Sequence, residues 1–149
     1  MKTKEIASYI DHTILKVITT KQQIKKLCDE AIEYGFAAVC VPPCYIIRAK
    51  DYLKHTNIKV ATVIGFPMGY GNSIAKAEET LVAILEGADE IDMVANLSAI
   101  KEKAWEYVQK DIYRVGLHCK NKKVKLKVII EAALPVSYTH LTLPTNGCV

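Results

Sequence analysis

Arginine is nearly absent from this chain. Of the 20 basic residues among its 149, only Arg48 and Arg114 are arginines. Nucleic-acid surfaces draw on the guanidinium fork as well as on lysine, so no nucleic-acid partner is expected. Long apolar runs are missing too, and no stretch is apolar for long enough to span a membrane, so no membrane partner is expected. The N-terminus, "MKTKEIASYI", is charged at once and has no apolar h-region, so no secretion signal is expected. The cysteines are few, scattered and odd in number: Cys28, Cys40, Cys44, Cys119 and Cys148. They read as reduced thiols of a cytoplasmic protein. Cys40 and Cys44, in "CVPPC", lie close together, but no second ligand pair stands at zinc spacing, so no metal is expected. "GFPMGYGN" (65–72) is the one glycine-rich stretch, and it has neither the Walker pattern nor G-x-G-x-x-G. It reads as a loop between a strand and a helix. No linker and no internal repeat interrupts the chain.

What remains is the composition of one globular domain. Half of the residues are hydrophobic and the net charge is +4. That mild excess of positive charge would suit a small anionic substrate. Residues 3–10 read as a short helix with Thr3 as its cap, and 10–15 as a strand-like run. Residues 19–35 carry Ile24, Leu27, Cys28, Ala31 and Ile32 at helical spacing, with Thr20 as N-cap and Gly35 as stop. A buried strand over 36–43 ends in two prolines, and 44–55 is a helix. Residues 58–69 form a strand running into the glycine-rich loop, and 73–88 a helix capped by Ser73 and ended by Gly87. Residues 89–94 are a strand, 101–119 a helix and 123–131 a strand. "KNKKVKLK" (120–127) reads as a solvated helix exit leading into that last strand. Such alternation makes a parallel sheet with right-handed crossovers, either a (β/α)8 barrel or an open doubly wound sheet.

Side-chain alternation separates the two. Val124, Leu126, Val128 and Ile130 share one face of the last strand, and Lys125, Lys127, Ile129 and Glu131 the other. In "EIDMV", Ile91 and Met93 oppose Glu90, Asp92 and Val94. In the first strand Asp11, Thr13 and Leu15 align, and His12 falls opposite. Helices on both faces of an open sheet leave no room for mid-strand charge, whereas a barrel lumen gathers polar groups near its C-terminal mouth. The charged positions therefore favour the barrel. Asp92 reads either as a structural carboxylate or as a proton-transfer group whose pKa is set by burial and a nearby cation. Lys127 reads either as a lysine reaching solvent or as a lumen partner of Asp92, which would lessen both desolvation costs.

These residues resemble a known family. "YIDHTILK", "AAVCVPPCY", "VATVIGFPMG", "GADEIDMV" and "LKVIIE" follow one another as they do in the 2-deoxyribose-5-phosphate aldolases, from about Glu5 to Glu131. The resemblance implies an α/β TIM barrel and a class I carbon–carbon lyase. It would work through a lysine Schiff base, with no metal and no cofactor. It would cleave the phosphosugar 2-deoxy-D-ribose 5-phosphate to D-glyceraldehyde 3-phosphate and acetaldehyde, in a cytoplasmic homo-oligomer that degrades deoxynucleosides. By the same resemblance Asp92 is the catalytic proton-relay aspartate, while Asp11, Cys40 and Lys127 line the substrate pocket.

The chain departs from that family in one large respect. The Schiff-base lysine of a "KTSTG"-like sixth strand, the second lysine of a "KxxGG"-like seventh and the phosphate site beyond it have no match here. About five of eight βα units are present. Residues 1–131 read as the N-terminal part of the barrel domain. Residues 132–149, with two Leu-Pro steps and no helical period, read as a non-native tail, and "SYTHLTLPT" resembles a spurious ending found on unrelated chains read from fragmentary assemblies. The chain alone is expected to be inactive. The rival readings are a non-catalytic half-barrel that binds sugar phosphates, and another phosphosugar aldolase or isomerase on the same fold.

Overall fold

A computed structural model describes residues 3–131. Five parallel strands alternate with helices. They are α1 (Thr3–Ala7), β1 (Asp11–Thr13), α2 (Lys21–Tyr34), β2 (Ala38–Val41), a 3₁₀ turn (Pro43–Tyr45), α3 (Ile46–Leu53), β3 (Lys59–Ile64), α4 (Ser73–Leu85), β4 (Glu90–Val94), α5 (Leu97–Lys101), α6 (Trp105–Lys122) and β5 (Lys125–Ile129). The strands lie side by side in chain order, β1 to β5. A doubly wound sheet reverses direction at a switch point, and this sheet does not. It also curls. Lys127 on β5 reaches Asp11 on β1 at 2.5 Å, although four flat strand spacings would hold those backbones about 19 Å apart. The architecture is an incomplete barrel with its charged residues on the concave side.

The convex side is the main core. Val39, Val41, Val60, Ile64, Ile91 and Met93 pack against Ile24, Leu27, Cys28 and Ala31 of α2, Ile46, Ala49 and Leu53 of α3, and Val115 and Cys119 of α6. The concave side holds a smaller cluster of Cys40, Ala61 and Val63, with Leu15 against it. Every residue of β2 is buried, whereas β5 is mostly half-buried. Among the described residues β1 and β5 are the sheet edges.

Local chemistry sets most of the boundaries. Thr20 and Gln23 form a capping box on α2, and Gly35 closes that helix in the left-handed region at φ 72°. Two expectations need correction. The cap of α4 is Asn72, whose Oδ1 accepts the Ile74 N–H at 2.8 Å, and Ser73 is the first helical residue. The helix expected over 101–119 is α6, shifted to Trp105–Lys122, and the short α5 before it was not expected. Lys103, at φ 59°, turns the chain between α5 and α6, and Asn96 caps α5.

The glycine-rich stretch joins β3 to α4 at the C-terminal end of the sheet. Gly69 sits at φ 72°, and a Cβ there would stand 2.0 Å from the Ala95 carbonyl oxygen, just past β4. Gly69→Ala should therefore cost more than the ~1–2 kcal/mol of a left-handed residue alone, because backbone must also move. A urea midpoint within error of the wild type would contradict this contact.

Candidate active site

β4 and β5 pair in a register that sets Asp92 directly beside Lys127. The Lys127 Nζ lies 2.5 Å from Asp11 Oδ2, 2.9 Å from Glu90 Oε2 and 3.0 Å from Asp92 Oδ1. The contact with Asp11 is an aligned hydrogen bond. The contact with Asp92 is an ion pair without that alignment, so Asp92 Oδ1 is buried and accepts no hydrogen bond. On its other side, Cys40 Sγ donates weakly to Asp92 Oδ2 at 3.9 Å. Asp11, Cys40, Asp92 and Lys127, from four strands, thus meet at one point. Cys40 stands beside Thr13 of β1 and Ala61 of β3.

Sequence reasoning placed Glu90 on the right face but did not name it as part of the site. Its signal was the two-residue offset from Asp92. Glu131 shares the face of Lys127 in the sequence pattern. It lies exposed beyond the end of β5, and Asp11 and Glu90 stand beside Lys127 instead. His12 is on the convex face as expected, 2.7 Å from Glu30 and stacked on Phe36. Its hydrogen bond holds the Glu30 carboxyl below its ordinary range.

Burial governs the electrostatics. It pushes the Asp92 carboxyl up; the Lys127 ammonium opposes that rise and the charges of Asp11 and Glu90 add to it. Burial alone would lower Lys127, but its close contacts with the carboxylates of Asp11, Glu90 and Asp92 outweigh it and hold the ammonium above the ordinary lysine range. Burial, reinforced by Asp92, raises the Cys40 thiol to about 12, so it is a neutral thiol at physiological pH. Three carboxylates around one ammonium carry excess negative charge. Burial favours proton uptake by Asp92. The arrangement can therefore move protons, and it disfavours Lys127 as an amine nucleophile. Among the described residues no group of histidine, cysteine and carboxylate side chains is arranged to hold a metal ion.

These shifts give the fold a pH signature. Lys127 binds its proton more tightly folded than unfolded. Its contribution is complete at neutral pH and is lost as pH rises past the ordinary lysine value of about 10.4. Asp92 keeps its proton to higher pH when folded, so its contribution falls as pH climbs out of the ordinary carboxylate range. The difference in melting temperature between wild type and Lys127→Met should be widest near neutral pH and narrow above about pH 10. A difference that stays constant through that range would contradict the ion cluster.

A hollow of about 260 Å³ opens at the C-terminal end of the strands, lined among others by Leu15, Lys16, Pro42, Tyr45, Phe66 and Glu79. It does not include Asp92 or Lys127. It adjoins them through Leu15 and Val63, which pack with Cys40. No described helix is long and apolar enough to cross a membrane. The expected tail, 132–149, lies outside the described residues.

Comparison with known proteins bears on this geometry. A family model described as DeoC/LacD family aldolase matches residues 6–138, a span that runs past Glu131. The deoxyribose-phosphate aldolase of Thermococcus kodakarensis is 53% identical over 133 residues, covering 88% of this chain and 59% of that protein. Its counterpart in Clostridium perfringens is 49% identical over 134 residues, covering 90% and 59%. The chain thus spans about three-fifths of the curated relatives it matches. Among solved structures, a protein from Coccidioides immitis superposes with a TM-score of 0.84 at 44% identity, over 88% of this chain and 51% of that one. A deoxyribose phosphate aldolase from Aeropyrum pernix, described as tetrameric, gives 0.82 at 30% identity, over 89% and 55%.

Proposed function

The chain belongs to the DeoC/LacD family of aldolases, and we propose that it is the first five βα units of a deoxyribose-phosphate aldolase. The observation that carries this reading is the cluster of Asp11, Glu90 and Asp92 around Lys127, with Asp92 raised toward proton exchange. The substrate would be a small phosphosugar, 2-deoxy-D-ribose 5-phosphate. In the cleavage direction the bond between C2 and C3 breaks. The C3 hydroxyl gives up its proton as its carbon becomes the aldehyde of glyceraldehyde 3-phosphate. The two-carbon fragment, held as an enamine on a lysine, then takes a proton at C2 to become an imine, and water hydrolyses its C=N bond to release acetaldehyde and the lysine amine. Asp92 is the group that accepts and returns those protons. Lys127, charged, keeps the ionised form of Asp92 within reach. Asp11 and Cys40 line the pocket, and Cys40 does so as a neutral thiol.

The Schiff-base lysine would come from a sixth strand that this chain does not carry, so the chain alone would be inactive. Residues 1–131 would be the native part of the domain and 132–149 a non-native tail. The Aeropyrum relative supports a homo-oligomeric parent, and the unpaired thiols fit a cytoplasmic one. The test is to complete the barrel by joining residues 1–131 to the remaining units of the Thermococcus kodakarensis enzyme. Cleavage of deoxyribose 5-phosphate by the hybrid supports the reading. A folded hybrid that binds the sugar phosphate without cleaving it favours a binding half-barrel, and turnover of another phosphosugar favours a different enzyme.

A further inference from the structure

Behind the tip of β4 lies a charged pair that the mechanism does not use. Lys76 on α4 and Asp111 on α6 are each 1% exposed, and the Lys76 Nζ lies 2.7 Å from Asp111 Oδ2. The same Nζ donates to the Val94 carbonyl at 3.0 Å. Val94 is the last residue of β4, two residues beyond Asp92. Its neighbour strand has already ended, because β3 stops at Ile64, opposite Met93. The lysine thus supplies a donor where no residue of β3 stands opposite. The path of its side chain is fixed as well: a Cβ on Gly65 would meet the Lys76 Cε at 2.9 Å. One turn further along α4, Glu79 Oε2 accepts the Gly65 N–H at 2.9 Å. One helix therefore holds the ends of β3 and β4 together.

A buried ion pair adds little stability compared with apolar packing of the same volume. Here even the pairing is incomplete, since Asp111 Oδ1 is buried without a hydrogen-bond partner among the described residues. The arrangement makes more sense as a means of fixing position. Asp92 needs such fixing, since its own Oδ1 is held only by an unaligned ion pair. We propose that Lys76 and Asp111 are a positioning pair that anchors the C-terminal tip of β4 and so keeps Asp92 against Lys127 and away from water. Its consequence for proton transfer rests on the function proposed above; its geometry does not.

The test uses the full 149-residue chain at low concentration, with carbodiimide labelling of carboxyl groups read by peptide mass spectrometry. The double variant Lys76→Met, Asp111→Leu removes both charges, so neither is stranded. It should keep the circular dichroism of the wild type, while labelling of Asp92 rises about tenfold and labelling of Asp11 on β1 does not change. Val115→Ala, a loss of packing in the same helix α6, should leave Asp92 as protected as in the wild type. Lys76→Arg, which keeps a donor for both partners, should restore protection. If the double variant is insoluble, Asp111→Asn serves, and a rise in Asp92 labelling there supports the pair. Asp92 protection unchanged in a folded variant, or lost equally in Val115→Ala, overturns the proposal. The labelling does not depend on activity. A positive result beside a hybrid that fails to cleave deoxyribose 5-phosphate would refute only the proposed reaction.

Discussion

Asp92→Asn in the completed barrel should lower turnover by about 10²–10⁴-fold, the range for loss of a positioned general base. The amide keeps the size and planarity of the carboxylate but cannot accept the proton of the C3 hydroxyl. The residue is well suited to this trial. It lies mid-strand, in register with Lys127, with its side chain 16% exposed. Replacing the carboxylate should not unfold the sheet, because Lys127 keeps Asp11 and Glu90 as partners. The step affected is the discriminating observation. Trapping of the lysine adduct with acetaldehyde should survive, and exchange of the acetaldehyde methyl protons with solvent should slow along with cleavage. Turnover near that of the unsubstituted hybrid would make Asp92 a structural carboxylate and leave proton transfer to another group.

The two faces of the strands were legible because alternation is a local property. Asp11, Asp92 and Lys127 could each be placed on one side of a strand without knowledge of its neighbours. Their meeting could not be read the same way. That Asp92 stands beside Lys127 depends on register, which the intervening loops and helices set. That Asp11 reaches the same ammonium depends on the curl of five strands, a property of the whole sheet. Glu90 shares the parity of Asp92, yet a carboxylate at the start of a strand is usually solvated, and nothing local marks it as 13% exposed. Lys76 was hidden for a similar reason. In a helix with Ser73, Ala77 and Thr80 on its inner face, a lysine reads as a solvent-facing residue; Asp111, 35 positions later, lets it be buried. The later start of α6 was not legible because Lys103, not glycine, takes the left-handed conformation just before it.

The 149-residue chain on its own is expected not to cleave deoxyribose 5-phosphate, and Lys127 is expected not to serve as a Schiff-base lysine. An imine forms only from a neutral amine, which requires a pKa lowered from about 10.4 by burial or a neighbouring cation. Burial does act in that direction on Lys127, but the carboxylates of Asp11, Glu90 and Asp92 around it more than reverse it. The ammonium is held in place by the same carboxylates that would serve proton transfer, so the cluster cannot supply both the base and the nucleophile. The concave side adds to the difficulty. Among the described residues β5 is a sheet edge, and Lys127 and Asp11 are each 31% exposed, so the low-dielectric surroundings that would lower the pKa of Lys127 are incomplete. Borohydride reduction of the chain with acetaldehyde, followed by peptide mapping, should find Lys127 unmodified and no glyceraldehyde 3-phosphate released from substrate. The hybrid barrel, treated alongside, should carry one adduct, on the lysine supplied by its added strands. A stoichiometric adduct on Lys127 with catalytic turnover would show that the carboxylates do not hold its proton, and that this part of the barrel carries its own reactive amine.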